Sequence, residues 1–150
     1  MTTNFQRTKA WLEACGKDQT ADNLSVQVGC MLEEFCELLS TLRTDSEGYA
    51  KLMDRTRVDL EWYAGKLKRR EQEVYIPIHL RVDALDALCD IEVTANGVAF
   101  LADFDKDAAD QEVLASNESK LVDGKPVFVE GTTKIGKGKD YKAPNLRGFV

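Results

Sequence analysis

Apolar side chains recur three and four positions apart along most of the first 119 residues, which is the spacing of one helix face. Residues Leu24, Val28 and Met31 illustrate the pattern. Polar or glycine-containing breaks separate the apolar segments. The pattern predicts an all-α fold with helices at about residues 4–15, from after Asp22 or Asn23 to about 43, 47–70, from Pro77 to about 104, and 107–118. Either Asp22 or Asn23 can cap the second helix.

The fourth predicted helix is apolar over most of its circumference, with two apolar rows instead of one. Helices of this kind are central in a fold, so we expect other helices to surround it. Long apolar faces on several helices also predict a homo-oligomer, a dimer or tetramer built as a helical bundle. The first row contains Ala84, Leu88, Ile91, Ala95 and Val98, and the second contains Val82, Cys89, Val93 and Phe100.

Glycine and proline are concentrated after residue 120, where helical spacing ends. The segment Asp123-Gly124-Lys125-Pro126 predicts a turn, and extended chain is expected around residues 127–129. We therefore expect one domain made of a helical body, residues 1–119, and a tail of loops and a hairpin, residues 120–150.

The charge is unevenly distributed along the chain. The 20 basic and 26 acidic residues give a net charge of −6, which disfavours binding to duplex nucleic acid or an anionic membrane. Residues 1–119 have 13 basic and 23 acidic side chains (net −10), whereas residues 120–150 have 7 and 3 (net +4). Such an asymmetry suits a metal-bound polyphosphate, although a solvated tail that balances charge would look the same. Without a signal sequence or an apolar run of about 18 residues, we expect a cytoplasmic protein.

Acidic residues on the second and fourth helices are the strongest chemical signal. Glu34 and Glu37 share one face of the second helix, next to Glu33. On the fourth helix, Asp86 and Asp90 lie between the two apolar rows, together with Asp83, and no Lys or Arg occurs in residues 83–101. Partly desolvated carboxylates need a cation, and an oxygen-only donor set favours Mg²⁺ or Mn²⁺.

The basic tail offers groups that complement phosphate. Lysine ammonium groups and glycine amides bind phosphate oxygens that metal ions leave free. Two or three ions on the carboxylates and these groups on the tail would together hold a triphosphate. The tail groups are Lys120, Lys134, Lys137 and Lys139, with the amides of Gly136 and Gly138.

These motifs together resemble the MazG-like superfamily of all-α nucleoside triphosphate pyrophosphohydrolases. The resemblance rests on Glu33-Glu34-x-x-Glu37, on an acidic helix ending in Asp90, and on the tail. The tail is similar to that of a largely phage-borne branch, through residues 116–121, residues 123–126 and Lys134-x-x-Lys137-Gly138-x-x-Tyr141-x-x-Pro144.

The resemblance implies a MazG-like four-helix bundle with a short extra helix, and it implies functional residues. Glu34, Glu37 and Asp90 are the implied metal ligands, with Glu33 or Asp86 in support. Many relatives place a glutamate three residues before the aspartate, where this chain has Ala87, so Asp86 is the expected replacement. Candidate walls of the base pocket are Phe5, Trp11, Asn117 and Tyr141.

The expected reaction is hydrolysis of a deoxynucleoside triphosphate to the monophosphate and pyrophosphate, with Glu34 or Glu37 activating water. Some phage members act on dATP and dGTP, which makes a purine substrate the leading expectation. A pyrimidine or damaged nucleotide is a second possibility. A helical interaction module without catalysis is the alternative from another class.

Overall fold

The computed structural model describes residues 2–130 and 135–150, and its fold is mainly helical, as expected. The chain divides into two compact units, Asp18–Ile78 and Met1–Lys17 with His79–Val150. The predicted division at residue 119 stays a prediction. The helices of the described residues are α1 (Asn4–Ala14), α2 (Ala21–Thr41), α3 (Glu47–Lys68), α4 (Arg81–Leu101) and α5 (Lys106–Glu118).

The unit Asp18–Ile78 is an antiparallel hairpin of α2 and α3. Thr20 caps α2, since its hydroxyl accepts a hydrogen bond from the amide of Asn23 at 3.1 Å, so the expected caps Asp22 and Asn23 lie inside the first turn. Gly29 and Cys36 lie buried on the face toward α3, beside the buried Ala64 of that helix. These small residues allow the two helix backbones to approach closely.

In the other unit, polar side chains join α1 to α5. The guanidinium of Arg7 donates two hydrogen bonds of 2.8 Å to the carboxylate of Glu118 and a third to Gln111. Gln111 in turn donates to Asn4 at 3.0 Å. Hydrogen bonding to Arg7 lowers the pKa of Glu118 below its usual value, so the carboxylate stays charged through mildly acidic conditions.

The tail begins with a very short hairpin, β1 (Leu121–Val122) paired with β2 (Lys125–Pro126). Asp123 and Gly124 both have positive φ, 52° and 73°, as a two-residue hairpin turn requires. The predicted turn was two residues too long, because Lys125 and Pro126 belong to the second strand. The expected extended segment at 127–129 contributes only a bridge from Phe128 to Ile135.

Within its own unit, helix α4 is not surrounded by other helices, so the expected central position is wrong for that unit. It packs against α5 near its C-terminal end, and Ala99 is its one buried residue. Both apolar rows are largely exposed, for example 51% at Leu88 in the first row and 80% at Phe100 in the second. A 3-10 turn, Ile78–Leu80, precedes the helix, which therefore begins four residues after Pro77. Among the described residues, no helix is long and apolar enough to span a membrane.

Candidate functional site

The three glutamates of α2 have different surroundings. Glu33 follows Gly29 by four residues and precedes Cys36 by three, so it shares their face toward α3. There its carboxylate forms an ion pair with the ammonium of Lys68. Glu34 and Glu37 are exposed instead. Successive residues of a helix are rotated by about 100°, so Glu33 faces α3 whereas Glu34 and Glu37 lie at the surface.

A cavity of about 250 Å³ adjoins the Glu33–Lys68 pair on the hairpin. Its lining brings together two acidic and two basic side chains, so it is nearly neutral. Lys68 offsets the charge of Glu33, which suits a supporting role for this glutamate better than direct metal binding. The lining residues are Glu33, Glu61, Ala64, Gly65, Lys68 and Arg69.

Asp86 and Asp90, the predicted acidic pair of α4, are both exposed, and Asp83 is exposed as well. Asp90 and Asp86 are four positions apart and lie on one face. In the part of the chain that the structure describes, no group donates a hydrogen bond to either carboxylate. The backbone carbonyl of Asp90 accepts a bond of 2.8 Å from the Thr94 hydroxyl. These aspartates therefore retain the negative charge that a cation needs, but not the burial that the sequence predicts.

The donor set fits Mg²⁺ or Mn²⁺ in chemistry, because it consists of carboxylate oxygens one helical turn apart. The glutamates belong to the unit Asp18–Ile78 and the aspartates to the other unit. Residues 2–130 and 135–150 contain no group of three or more His, Cys, Asp or Glu side chains arranged to hold a metal. The four-carboxylate site thus stays a prediction, with two candidate ligands assigned to each unit.

The tail brings several of its predicted binding residues onto the end of α5. The ammonium of Lys120 donates a hydrogen bond of 2.7 Å to the side chain of Asn117. The Ser119 hydroxyl accepts a bond of 2.9 Å from the amide of Lys142, which holds the returning chain. The Tyr141 amide donates to the Gly138 carbonyl at 3.1 Å. Predicted residue Lys134 lies outside the described residues.

Gly138 is the point at which the returning chain meets Lys120. An added Cβ atom there would lie 2.5 Å from Val122 Cγ2 and 3.4 Å from the carbonyl oxygen of Lys120. Lys137, the neighbouring residue, has its ammonium 4.7 Å from the centroid of the Tyr141 ring. The structure thus forms two side-chain pairs, Lys120 with Asn117 and Lys137 with Tyr141, on chain segments that meet at Gly138, and we call these four residues the tail site.

Trp11 of α1 borders the tail site, although sequence patterns gave only a weak indication of this. The Lys120 ammonium lies 5.9 Å from the centroid of the Trp11 ring. Phe5, the other candidate wall residue on α1, is 77% exposed. The ties from Arg7 to α5 hold α1 in place, and these polar partners are more than 100 residues apart in sequence.

Comparisons with known proteins provide no identification. The chain matches no family model, no curated protein and no solved structure. Its functional interpretation therefore depends on the residues and their arrangement.

Proposed function

We propose that this chain is a metal-dependent nucleoside triphosphate diphosphohydrolase. The observation that carries the proposal is the combination, in one chain, of exposed carboxylates on α4 and lysines of the tail site, neither of which has an oppositely charged partner among residues 2–130 and 135–150. Carboxylates bind divalent cations, and lysine ammonium groups bind the phosphate oxygens that the cations leave free. Neither group alone would suggest a triphosphate.

The proposed reaction is attack of water on the α-phosphorus. A new P–O bond forms there, the bond to the α–β bridging oxygen breaks, and the products are a nucleoside monophosphate and pyrophosphate. Glu34 or Glu37 would accept the proton of the attacking water. Mg²⁺ or Mn²⁺, when bound, polarises the phosphoryl group. Glu34, Glu37, Asp86 and Asp90 would hold two or three ions, with Glu33 in support.

The tail site would hold the phosphates. Ammonium groups form short, charge-assisted hydrogen bonds to phosphate oxygens, and Lys120 and Lys137 make no ion pair with a described residue. Asn117 and Tyr141 would contact the nucleoside, and Lys134 would add a third cation. A purine deoxynucleotide, dGTP or dATP, is the preferred substrate in this proposal, and a phage nucleotide pool is its setting.

A substrate panel tests the activity. Each common dNTP and NTP is incubated with Mg²⁺ or Mn²⁺, and pyrophosphate is distinguished from orthophosphate. We expect pyrophosphate from purine dNTPs, and a loss of at least a hundredfold in Glu37→Gln. Glu92→Gln is the matched control, because Glu92 is an exposed carboxylate of α4 outside the proposed ligand set. Turnover of a pyrimidine or damaged nucleotide alone would change the substrate class and keep the reaction.

We also propose that the chain forms a dimer or tetramer through α4. Its exposed side chains include Val82, Leu85 and Phe100, at 79%, 64% and 80% exposure. Contiguous apolar surface of this kind marks interaction sites. Sedimentation equilibrium measures the subunit number, and Leu85→Glu should shift the protein toward the monomer.

The same exposed helix favours the second candidate function, an interaction module without catalysis. That function predicts no turnover of any nucleotide, and it predicts that Asp90→Ala is tolerated or even stabilising, since it removes a charge between apolar rows. The substrate panel and the unfolding of Asp90→Ala therefore distinguish the two functions.

A further inference from the structure

The indole nitrogen of Trp11 is buried and has no hydrogen-bond partner among the described residues. No other side-chain nitrogen or oxygen of the described residues is both buried and without a hydrogen-bond partner. A buried donor left without an acceptor costs about 1–3 kcal/mol, so proteins satisfy nearly all such groups with protein, water or ligand. An acceptor for Trp11 is therefore expected from outside the described residues.

The charge around this donor indicates what kind of acceptor it is. The Lys120 ammonium lies 5.9 Å from the Trp11 ring centroid and bonds to a neutral amide oxygen, on Asn117. It forms no ion pair with a described residue, and neither does Lys137 beside Tyr141. A water molecule would accept the indole hydrogen bond but leave the Lys120 ammonium without an anion. An anionic oxygen would accept the indole hydrogen bond and also pair with this ammonium.

We propose that the indole N–H of Trp11 donates a hydrogen bond to a phosphate oxygen of a bound polyphosphate. This inference rests on the proposed function and extends it by adding Trp11 to the binding residues. One hydrogen bond, to Asn117, holds the flexible side chain of Lys120 over the indole ring. A phosphate that replaces Asn117 as the partner of the Lys120 ammonium would lie beside this indole.

The test uses inorganic tripolyphosphate in the presence of EDTA, so that it depends on neither metal binding nor turnover. Trp11 and Trp62 are the tryptophans of the chain, and each gives one indole signal in a ¹⁵N–¹H NMR spectrum. Trp11→Phe and Trp62→Phe assign the two signals. Trp62 is 66% exposed on α3, so its signal is the internal control. We expect tripolyphosphate to move the Trp11 signal and to leave the Trp62 signal in place.

Calorimetric titration of the same variants measures the contribution of the N–H. Phenylalanine retains an aromatic ring without the donor, so Trp11→Phe should weaken tripolyphosphate binding by about tenfold, whereas Trp62→Phe should bind as the natural chain does. Lys120→Met should weaken binding as well, without altering the fold of α1. Circular dichroism and thermal unfolding of each variant confirm that it is folded.

Three results would overturn the inference: tripolyphosphate binding with an unmoved Trp11 signal, equal affinity of Trp11→Phe and the natural chain, or absence of tripolyphosphate binding. None of these outcomes affects the substrate panel, which tests hydrolysis separately. Conversely, a Trp11 signal that moves in a chain without turnover would support the phosphate site and refute the enzyme.

Discussion

Replacing Gly29 with alanine tests the close packing of α2 on α3. The added Cβ would lie 2.9 Å from the Ala64 carbonyl oxygen, 2.9 Å from Lys68 Cγ and 3.1 Å from Leu67 Cβ. Carbon atoms pack at about 3.5–4.0 Å, so the helices must separate by several tenths of an ångström. The lysine side chain can move aside, but the carbonyl oxygen belongs to the backbone of α3.

The expected magnitude comes from two opposing effects. Alanine stabilises a helix interior by about 0.8–1.0 kcal/mol relative to glycine. Overpacking a close contact costs about 1–3 kcal/mol. Because backbone must move at Gly29, we expect the second effect to dominate, and Gly29→Ala to lower the free energy of unfolding by about 1 kcal/mol.

Gly97→Ala is the matched control. Gly97 lies inside α4, and an added Cβ there would meet no atom within 4 Å. The same chemical change should therefore raise stability by about 0.5–1 kcal/mol. Urea unfolding in EDTA, followed by circular dichroism at 222 nm, measures both variants. If Gly29→Ala stabilised the protein as Gly97→Ala does, the close helix contact would be refuted.

Three further predictions concern charged groups. The Arg7–Glu118 pair should contribute fully to stability above pH 4.5, the ordinary glutamate pKa, and this contribution should be lost as pH falls through the lowered pKa of Glu118 in the folded state. Glu118→Gln should therefore flatten this part of a plot of melting temperature against pH. Saturating Mn²⁺ should stabilise the protein by about 2.7 kcal/mol at a hundredfold excess over Kd, and Asp90→Asn should abolish most of this rise in thermal unfolding. A double-mutant cycle on Glu33→Gln and Lys68→Met should give a coupling of about 1 kcal/mol or less, because the pair is partly exposed.

The sequence predicted the helices well because their positions depend on local periodicity. The ends were harder to predict. The Thr20 hydroxyl caps α2 by accepting a hydrogen bond from the amide of Asn23, and Asp22 is an equally suitable capping residue by type. For α4, the apolar pattern predicted that other helices cover both sides. It did not reveal whether that cover comes from the same unit of the chain, and the structure leaves these sides exposed.

The candidate site was predictable only as far as residue type and local spacing determine chemistry. Glu33 and Glu34 are adjacent in sequence, yet only Glu33 faces the hairpin partner and finds Lys68, 35 residues away. Similarly, Trp11 reaches Lys120 because Arg7 ties α1 to α5. Such pairings depend on tertiary packing, which periodicity along one helix does not specify.

Metal binding and self-association through α4 should reinforce each other if both proposals hold. Asp86 and Asp90 lie between the apolar rows, so a second copy that covers both rows would also remove water from the carboxylates. Removing water from like charges is costly unless a cation neutralises them. By thermodynamic linkage, Mn²⁺ should then strengthen the association, and association should strengthen Mn²⁺ binding by the same factor. Sedimentation with Mn²⁺ and with EDTA should show this difference in the natural chain and much less of it in Asp90→Asn. Equal association in both solutions would mean that the aspartates stay solvated in the assembly, and that α4 buries apolar side chains alone.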